Sequence, residues 1–449
     1  MSDESRTESP EGAENERDLD AEATPQHAAD TEIEEESEGT PQHAAGAVDQ
    51  GGMSGTQRFR TALLGRSGGR QILIDVLTTF FAFVLAFVVG GILMIVSDPE
   101  VSSKFAYFFG RPGDALQASA DKVFGAYGAL ARGALGGIGP ITETTAQAAP
   151  LICAGLGVAL AFRAGLFNIG GQGQAIWGAI LSAWVGFSLP MPIVLQCVAA
   201  VILGILGGAV WGGLVGLLKA KAGAHEVIVT IMLNYIAAGM LAYLLTTTAF
   251  QRPGRTDPIS PVVDWNATFA RIDGTRLHLG FLLALLAAVG VWFLLERTSI
   301  GFAIRAVGAN PHASATAGMS VARTTIITMA IAGGLAGLGG VMSSLGPTVT
   351  GFPDPLSAGL VGSVGFDAIT VALLGRSKPV GTVLAGLLFG ALHAGGLAMQ
   401  SQAGTPLTLT IVLQALIVIF VAAPALVTSI LPFIKGRPST PNVPAGALS

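Results

Sequence analysis

The sequence predicts an all-α polytopic membrane protein, and three observations carry that prediction. Apolar runs such as Leu279–Leu295 and Thr324–Leu345 recur along the chain, each long enough to cross about 30 Å of hydrocarbon. Charged residues make up only 12% of a chain that is 51% hydrophobic. The alternating pattern of barrel strands is absent. Basic residues flank alternate ends of the apolar runs, which gives about ten transmembrane helices with both termini cytoplasmic.

The net charge of −5 conceals two unlike parts. Residues 1–50 hold 16 acidic and 2 basic side chains, and the remainder holds 13 acidic and 22 basic ones. Met1–Gly52 is poor in aromatics and rich in Glu, Ala, Ser and Pro, a composition that buries too little apolar surface to offset ordering. Residues 1–55 are therefore expected to be a disordered acidic cytoplasmic tail. TPQHAA occurs at Thr24–Ala29 and again at Thr40–Ala45, a small local duplication. With no basic leader and no cleavage site, the segment does not read as a signal peptide.

The apolar body, residues 56–434, begins with Arg58, Arg60, Arg66 and Arg70 ahead of the first span, Ile72–Val96. These positives place the N-terminus inside. Ser97–Gly139 is a mixed-charge outside segment with room for an amphipathic surface helix. The second span, Thr145–Phe162, ends at Arg163, and RAGLFNIGGQGQ (Arg163–Gln174) then interrupts the apolar pattern before a short third span, Ala175–Leu189. Irregular polar backbone at membrane depth is tolerated only against protein or water. Asn168, Gln172 and Gln174 are candidate pathway-lining groups on that view, and ordinary residues of a tight cytoplasmic turn on the other.

Span four, Ile193–Leu218, carries Gly204, Gly208, Gly212 and Gly216 four apart, so that they share one helical face and admit a neighbouring helix closely. Lys219 and Lys221 mark the inside. Glu226 opens span five, Val227–Thr248, where a carboxylate favours the helix N-terminus. Asn234 and Tyr235 lie deeper, and the buried Asn234 amide needs partners in a neighbouring helix or a ligand. Phe250–His278 is a polar outside loop. Span six, Leu279–Leu295, leads to residues 298–320, TSIGFAIRAVGANPHASATAGMS, and span seven is Thr324–Leu345.

Residues 298–320 are too polar and broken to cross a membrane. They read as a short helix over Ile300–Val307, a turn at Gly308–Pro311 and a second small-residue helix. Asn310 precedes a proline, which disfavours helical backbone there, and Pro311 suits a first helical turn. The shape suits docking of a soluble partner, but short polar loops between spans are common and a plain interfacial loop fits the residues too.

Span eight, Ala358–Leu374, is short and holds Asp367. An intramembrane carboxylate is a functional candidate, and also fits a structural acid bonded to backbone N–H groups or to Arg376. Spans nine and ten, Val380–Leu397 and Leu407–Val421, precede a cytoplasmic tail at 435–449. Cys153 and Cys197 lie in apolar runs as buried thiols, and no metal-ligand spacing, P-loop, zinc-protease motif or nucleophile elbow is present. Nucleic-acid binding has no support.

Four segments, LAFRAGLFNIGGQGQ (Leu160–Gln174), HEVIVTIMLNYIA (His225–Ala237), SIGFAIRAVGANPHASATAGM (Ser299–Met319) and GFDAITVALLGRSKPVGTVLAGLLFGAL (Gly365–Leu392), resemble permease subunits of bacterial ABC importers, nearest to the nucleoside and simple-sugar branch. Ribose and branched-chain amino-acid permeases are similar but more distant. The resemblance covers Ile72–Ile434 and excludes the acidic tail.

It implies a multi-pass protein of the bacterial inner membrane in which Ser299–Met319 is a coupling loop shaped by Arg305, Gly308, Asn310 and Pro311. It implies an ABC ATPase partner that holds ATP and magnesium, a second permease chain (homologous or identical), a lipoprotein-type substrate-binding protein, and no cofactor or catalytic residue in this chain. A neutral, hydrogen-bonding nucleoside would suit Asn168, Gln172, Gln174, Asn234 and Tyr235. The alternatives are a ribose-like sugar permease, or a secondary transporter driven by an ion gradient through Asp367.

Overall fold

The structure, a computed structural model, describes residues 66–430. The acidic tail with its repeat, Arg58 and Arg60, and the tail at 435–449 lie outside the described residues. Helices α1 (Arg66–Ser97), α2 (Pro99–Phe105), α3 (Pro112–Leu135), α4 (Ile138–Arg163), α5 (Gly171–Ser188), α6 (Ile193–Ala222) and α7 (Glu226–Leu244) form the first half. Helices α8 (Leu279–Arg297), α9 (Ser299–Ala309), α10 (Pro311–Thr316), α11 (Val321–Leu345), α12 (Val364–Leu374), α13 (Pro379–Ala403), α14 (Leu407–Ala422) and α15 (Pro424–Ile430) form the second. Among the described residues there is no strand beyond an isolated bridge between Arg271 and His278.

Seven of these helices are long and apolar enough to cross a membrane: the Leu77–Ser97 part of α1, α4, α6, α7, α8, α11 and α13. Of the other three expected spans, one begins earlier, one is shorter, and the tenth, Leu407–Val421, is present over its expected range in a helix too short to count among the seven. α5 starts at Gly171, with Gln172 and Gln174 in its first turn, instead of at Ala175. α12 has 11 residues, because Ala358–Ser363 forms consecutive turns with Gly362 at φ 54°, a left-handed conformation that glycine adopts without strain. α14 has 16 residues.

The Ser97–Gly139 segment also differs from a surface helix. Ala115, Ser119, Ala126, Ala129, Leu130 and Ala134 bury one face of α3. Near its end Gly133 lies so close to α13 that a β-carbon would meet the Ala394 carbonyl and Gly395 at 3.2 Å.

Glycine decides the core. The stripe Gly204, Gly208, Gly212 and Gly216 of α6 faces α11, where a β-carbon on Gly212 would sit 2.9 Å from the Gly333 Cα. α5 crosses α11 at Gly178 and Gly337, again backbone on backbone. With lipid as apolar as leucine, such close backbone approach supplies the dispersion contact that holds helices together. At the end away from Arg163, the segment between α7 and α8 lies over the bundle. Phe269 N–H donates to the Leu345 carbonyl at 3.1 Å, and Ser260 N–H to that of Leu356 at 3.0 Å.

Candidate functional site

Two pieces of irregular backbone at one end of the bundle meet. The first is the expected helix–turn–helix. Thr298 ends α8 by donating its hydroxyl to the Leu294 carbonyl at 2.6 Å, and caps α9 by accepting from Gly301 N–H at 3.0 Å. The reversal is tight because Gly301 has no side chain to strike the Leu294 carbonyl. α9 buries Gly301, Ile304 and Val307 and leaves Ile300 and Phe302 exposed. Asn310 is extended (φ −157°, ψ 104°), and its Oδ1 accepts from Ala313 N–H at 3.0 Å. Asn310 thus ends α9 and caps α10, with Pro311 in the first turn. Arg305 stands 4.0 Å from Glu296 across the α8–α9 corner. A groove of about 400 Å³ runs between α9 and the start of α11, lined by Ser299, Ile300, Ala303, Met319, Ser320 and Arg323.

The second piece is the break between α4 and α5. Gly165, at φ 70°, turns the chain out of α4, and Leu166 N–H reaches back to the Ala161 carbonyl at 3.0 Å, the pattern of a glycine C-cap. Asn168 and Gln174 exchange amide hydrogen bonds at 3.1 and 3.2 Å, and Asn168 Oδ1 also accepts from Gly170 N–H at 3.0 Å. Asn234 of α7 accepts from Gly173 N–H at 2.8 Å and donates to the Ile169 carbonyl at 3.0 Å. Gln172 accepts from Gly365 N–H at 2.9 Å and donates to the Gly362 carbonyl at 2.7 Å. The first turns of α5 and α12 therefore abut, and each has an N–H taken up by a side chain from another helix. Such discontinuous helices are a feature of membrane transport proteins.

The two pieces are in contact. Gly308, near the end of α9, packs on Arg163 and Ala164, so closely that any β-carbon would overlap the Arg163 carbonyl. Gly165 faces Gly308 from the other side, its β-carbon position 3.4 Å from the Gly308 carbonyl oxygen.

Of the five candidate pathway residues, Asn168, Gln172, Gln174 and Asn234 come together around the α5 N-terminus with their amides bonded within the chain. Tyr235 points away on the open face of α7, 73% exposed. Tyr243, two turns on, is on the same face and similarly exposed. Asp367 accepts from Ser363 Oγ at 2.7 Å. Sequence reasoning missed the Thr298 double cap and the Lys219–Glu226 ion pair (2.6 Å) that closes the α6–α7 corner. Thr298 carried a signal in its place just ahead of an apolar helical run. The ion pair carried none, since its two ends are joined only by the fold around Gly223. Among the described residues, no three His, Cys, Asp or Glu side chains are grouped to hold a metal.

Comparison with known proteins agrees with this architecture. Residues 141–422 match the family described as branched-chain amino acid transport system permease component. The chain is 38% identical over 353 residues to the guanosine ABC transporter permease protein NupP of Bacillus subtilis, covering 78% of this chain and 94% of that one. It is 36% identical over 376 residues to the nucleoside ABC transporter permease protein NupB of Lactococcus lactis, covering 82% and 94%. It is 32% identical over 292 residues to the glucose ABC transporter permease protein TsgB13 of Haloferax volcanii, covering 62% and 75%. No solved structure matches the chain significantly. The motifs, the helical bundle with its broken helices and these relatives together place the chain in the branched-chain amino acid transport system permease family, as a cell-membrane permease subunit of an ABC transporter.

Proposed function

We propose that this permease imports nucleosides as one of two permease chains, driven by a separate ATPase that binds ATP and magnesium and supplied by a lipoprotein-type binding protein. The observation that carries the coupling role is the backbone contact of Gly308 with Arg163 and Ala164. A partner that moves α9 moves the foot of α4. From there the displacement reaches α5, α12 and α7 through Gly165, the Asn168–Gln174 pair, Gln172 and Asn234. Packed interfaces of this kind switch between arrangements instead of deforming smoothly.

Ten membrane crossings with both termini in the cytoplasm are consistent with this reading, and so is the cluster of Arg163, Arg297 and Lys378 at the coupling end. Nucleoside specificity is supported by the two relatives at 38% and 36% identity whose names specify guanosine or nucleosides. The glucose permease relative supports a simple sugar as the second reading. Family membership leaves the gradient-driven reading without support, and Asp367, held by Ser363, is a structural acid in this proposal.

Affinity purification of the tagged chain from its own membranes tests the assembly. A P-loop ATPase and a second permease chain, homologous or identical, should accompany it; recovery of the chain without any ATPase overturns the coupling proposal. The reconstituted complex should then accumulate guanosine in preference to glucose, and the reverse preference overturns the substrate. In that complex Tyr235→Ala should lower nucleoside uptake about tenfold at unchanged ATPase rate while Tyr235→Phe keeps it, if the ring stacks on a base at the ~1–3 kcal/mol such contacts contribute. Equal uptake by the alanine variant removes Tyr235 from the pathway.

A further inference from the structure

A second cleft at the coupling end, distinct from the groove beside α9, has a volume of about 570 Å³ and is lined by Arg163, Trp292, Glu296, Arg297, Lys378 and Val380. Its charge is net positive, three cations against one carboxylate. Glu296 faces Arg305, whereas among the described residues none of Arg163, Arg297 and Lys378 forms an ion pair. Arg163 and Arg297 are held in place by something other than an anion. Arg163 Nε–H donates to the Ser377 carbonyl at 3.0 Å. The Arg297 guanidinium lies 5.9 Å from the centre of the Trp292 ring. Lys378 follows Arg376 and Ser377, two non-glycine residues in left-handed backbone (φ 52° and 51°) that turn the chain sharply from α12 into α13.

Above this cleft the surface is apolar. Leu282, Leu286, Val289 and Phe293 are exposed at alternating four- and three-residue spacing along one face of α8. Val380 and Leu384 are exposed at the start of the neighbouring α13. Trp292, 45% exposed at the end of α8, has the position of an interfacial aromatic. A basic cleft at the foot of an apolar, outward-facing strip matches a ligand with an anionic head and hydrocarbon chains.

We propose that Arg163, Arg297 and Lys378 form a binding site for the phosphate of an anionic phospholipid whose acyl chains lie along the exposed faces of α8 and α13. The site adjoins the coupling loop, since Arg297 precedes Thr298 and Arg163 carries the carbonyl against Gly308. A bound lipid would brace the corner on which α9 turns. The inference rests on the proposed sidedness only for which leaflet supplies the lipid, and binding in detergent is blind to sidedness, so the two fail separately.

The test is native mass spectrometry of the intact detergent-solubilised complex titrated with phosphatidylglycerol or phosphatidylcholine. Phosphatidylglycerol should be retained over phosphatidylcholine. Arg297→Gln with Lys378→Gln should weaken its retention roughly 30-fold, the effect of two cations near a lipid surface. Arg297→Lys with Lys378→Arg should retain it, which separates lost charge from lost folding. Equal affinity for the two lipids, or unchanged phosphatidylglycerol affinity in the glutamine variant, overturns the proposal. Displacement of phosphatidylglycerol by an equimolar amount of inorganic phosphate overturns it too, because the cleft would then take a free anion.

Discussion

The α-carbon of Gly308 rests against the backbone carbonyl of Arg163 with no room for a side-chain atom between them. This contact joins the loop between α8 and α11 to the break between α4 and α5, two segments far apart in sequence. A rigid backbone-to-backbone contact transmits displacement better than flexible side chains do, because neither partner has a rotamer that can absorb the motion.

Gly308→Ala should therefore separate ATP hydrolysis from transport. The added methyl forces α9 away from α4, at the ~1–3 kcal/mol typical of overpacking. In proteoliposomes holding the whole transporter, uptake should fall at least about tenfold while basal ATPase activity persists. Uptake at the wild-type rate would show that the contact does not carry the stroke.

Asn234→Ala removes the acceptor of the Gly173 N–H and the donor to the Ile169 carbonyl. Leaving the buried Gly173 N–H unpaired costs about 1–3 kcal/mol, and the half-buried Ile169 carbonyl loses its partner as well. Thermal unfolding in detergent should show a lowered midpoint for the variant, which added guanosine does not restore. A variant with unaltered stability but weakened nucleoside affinity would instead make Asn234 a ligand contact.

Adjacent glycines of α6 should respond oppositely. A β-carbon on Gly212 would overlap the Met329 carbonyl, whereas one on Gly213 meets only the Ala330 methyl, at 3.6 Å. Gly212→Ala should destabilise by about 1–3 kcal/mol. Gly213→Ala should be neutral or stabilising by up to ~1 kcal/mol, through alanine's higher helix propensity. Comparison of the two melting temperatures checks the α6–α11 packing directly.

Acid should weaken the corner before α8. His278 is buried against the Phe269 ring, 5.7 Å between centres, and accepts from Gly280 N–H through Nδ1 at 3.1 Å. Burial, with the nearby Arg276 cation adding to it, lowers its pKa from 6.5 to about 4. The folded pKa is depressed, so the unfolded chain takes up the proton first. The stabilisation is complete above about pH 6.5 and is lost as the pH falls towards 4. It amounts to a few kcal/mol, because each tenfold difference in proton affinity between the folded and unfolded chain is worth about 1.4 kcal/mol. The melting temperature of the wild type should fall over this range more than that of His278→Asn, which keeps a capping oxygen and does not titrate. Parallel pH profiles would exclude His278 as the cause.

The sequence by itself determined the class of molecule, the approximate place of its helices and the local form of the 298–320 segment. These follow from short-range physics. Runs such as Leu279–Leu295 must leave water wherever the rest of the chain goes. Asn310 before Pro311 must leave the α region, and an extended Asn at that point caps the next helix. The glycine periodicity at 204, 208, 212 and 216 required that one face of α6 be backbone.

The tertiary structure decided which helix that face meets, because α11 carries its own glycines at 333 and 337 and the fit depends on both surfaces. It also decided what the polar groups of the α4–α5 break do. A buried amide is satisfied by whichever partner lies within reach, so the choice between a neighbouring helix and a solute could not be read from Asn168, Gln172, Gln174 or Asn234 alone. Folding supplies Gly365 and Gly362 to Gln172, and Gly173 and Ile169 to Asn234, while Asn168 and Gln174 pair with each other. The Gly308–Arg163 contact has no sequence signature for the same reason: it lies between two backbones, brought together only when the spans on either side of each loop have packed.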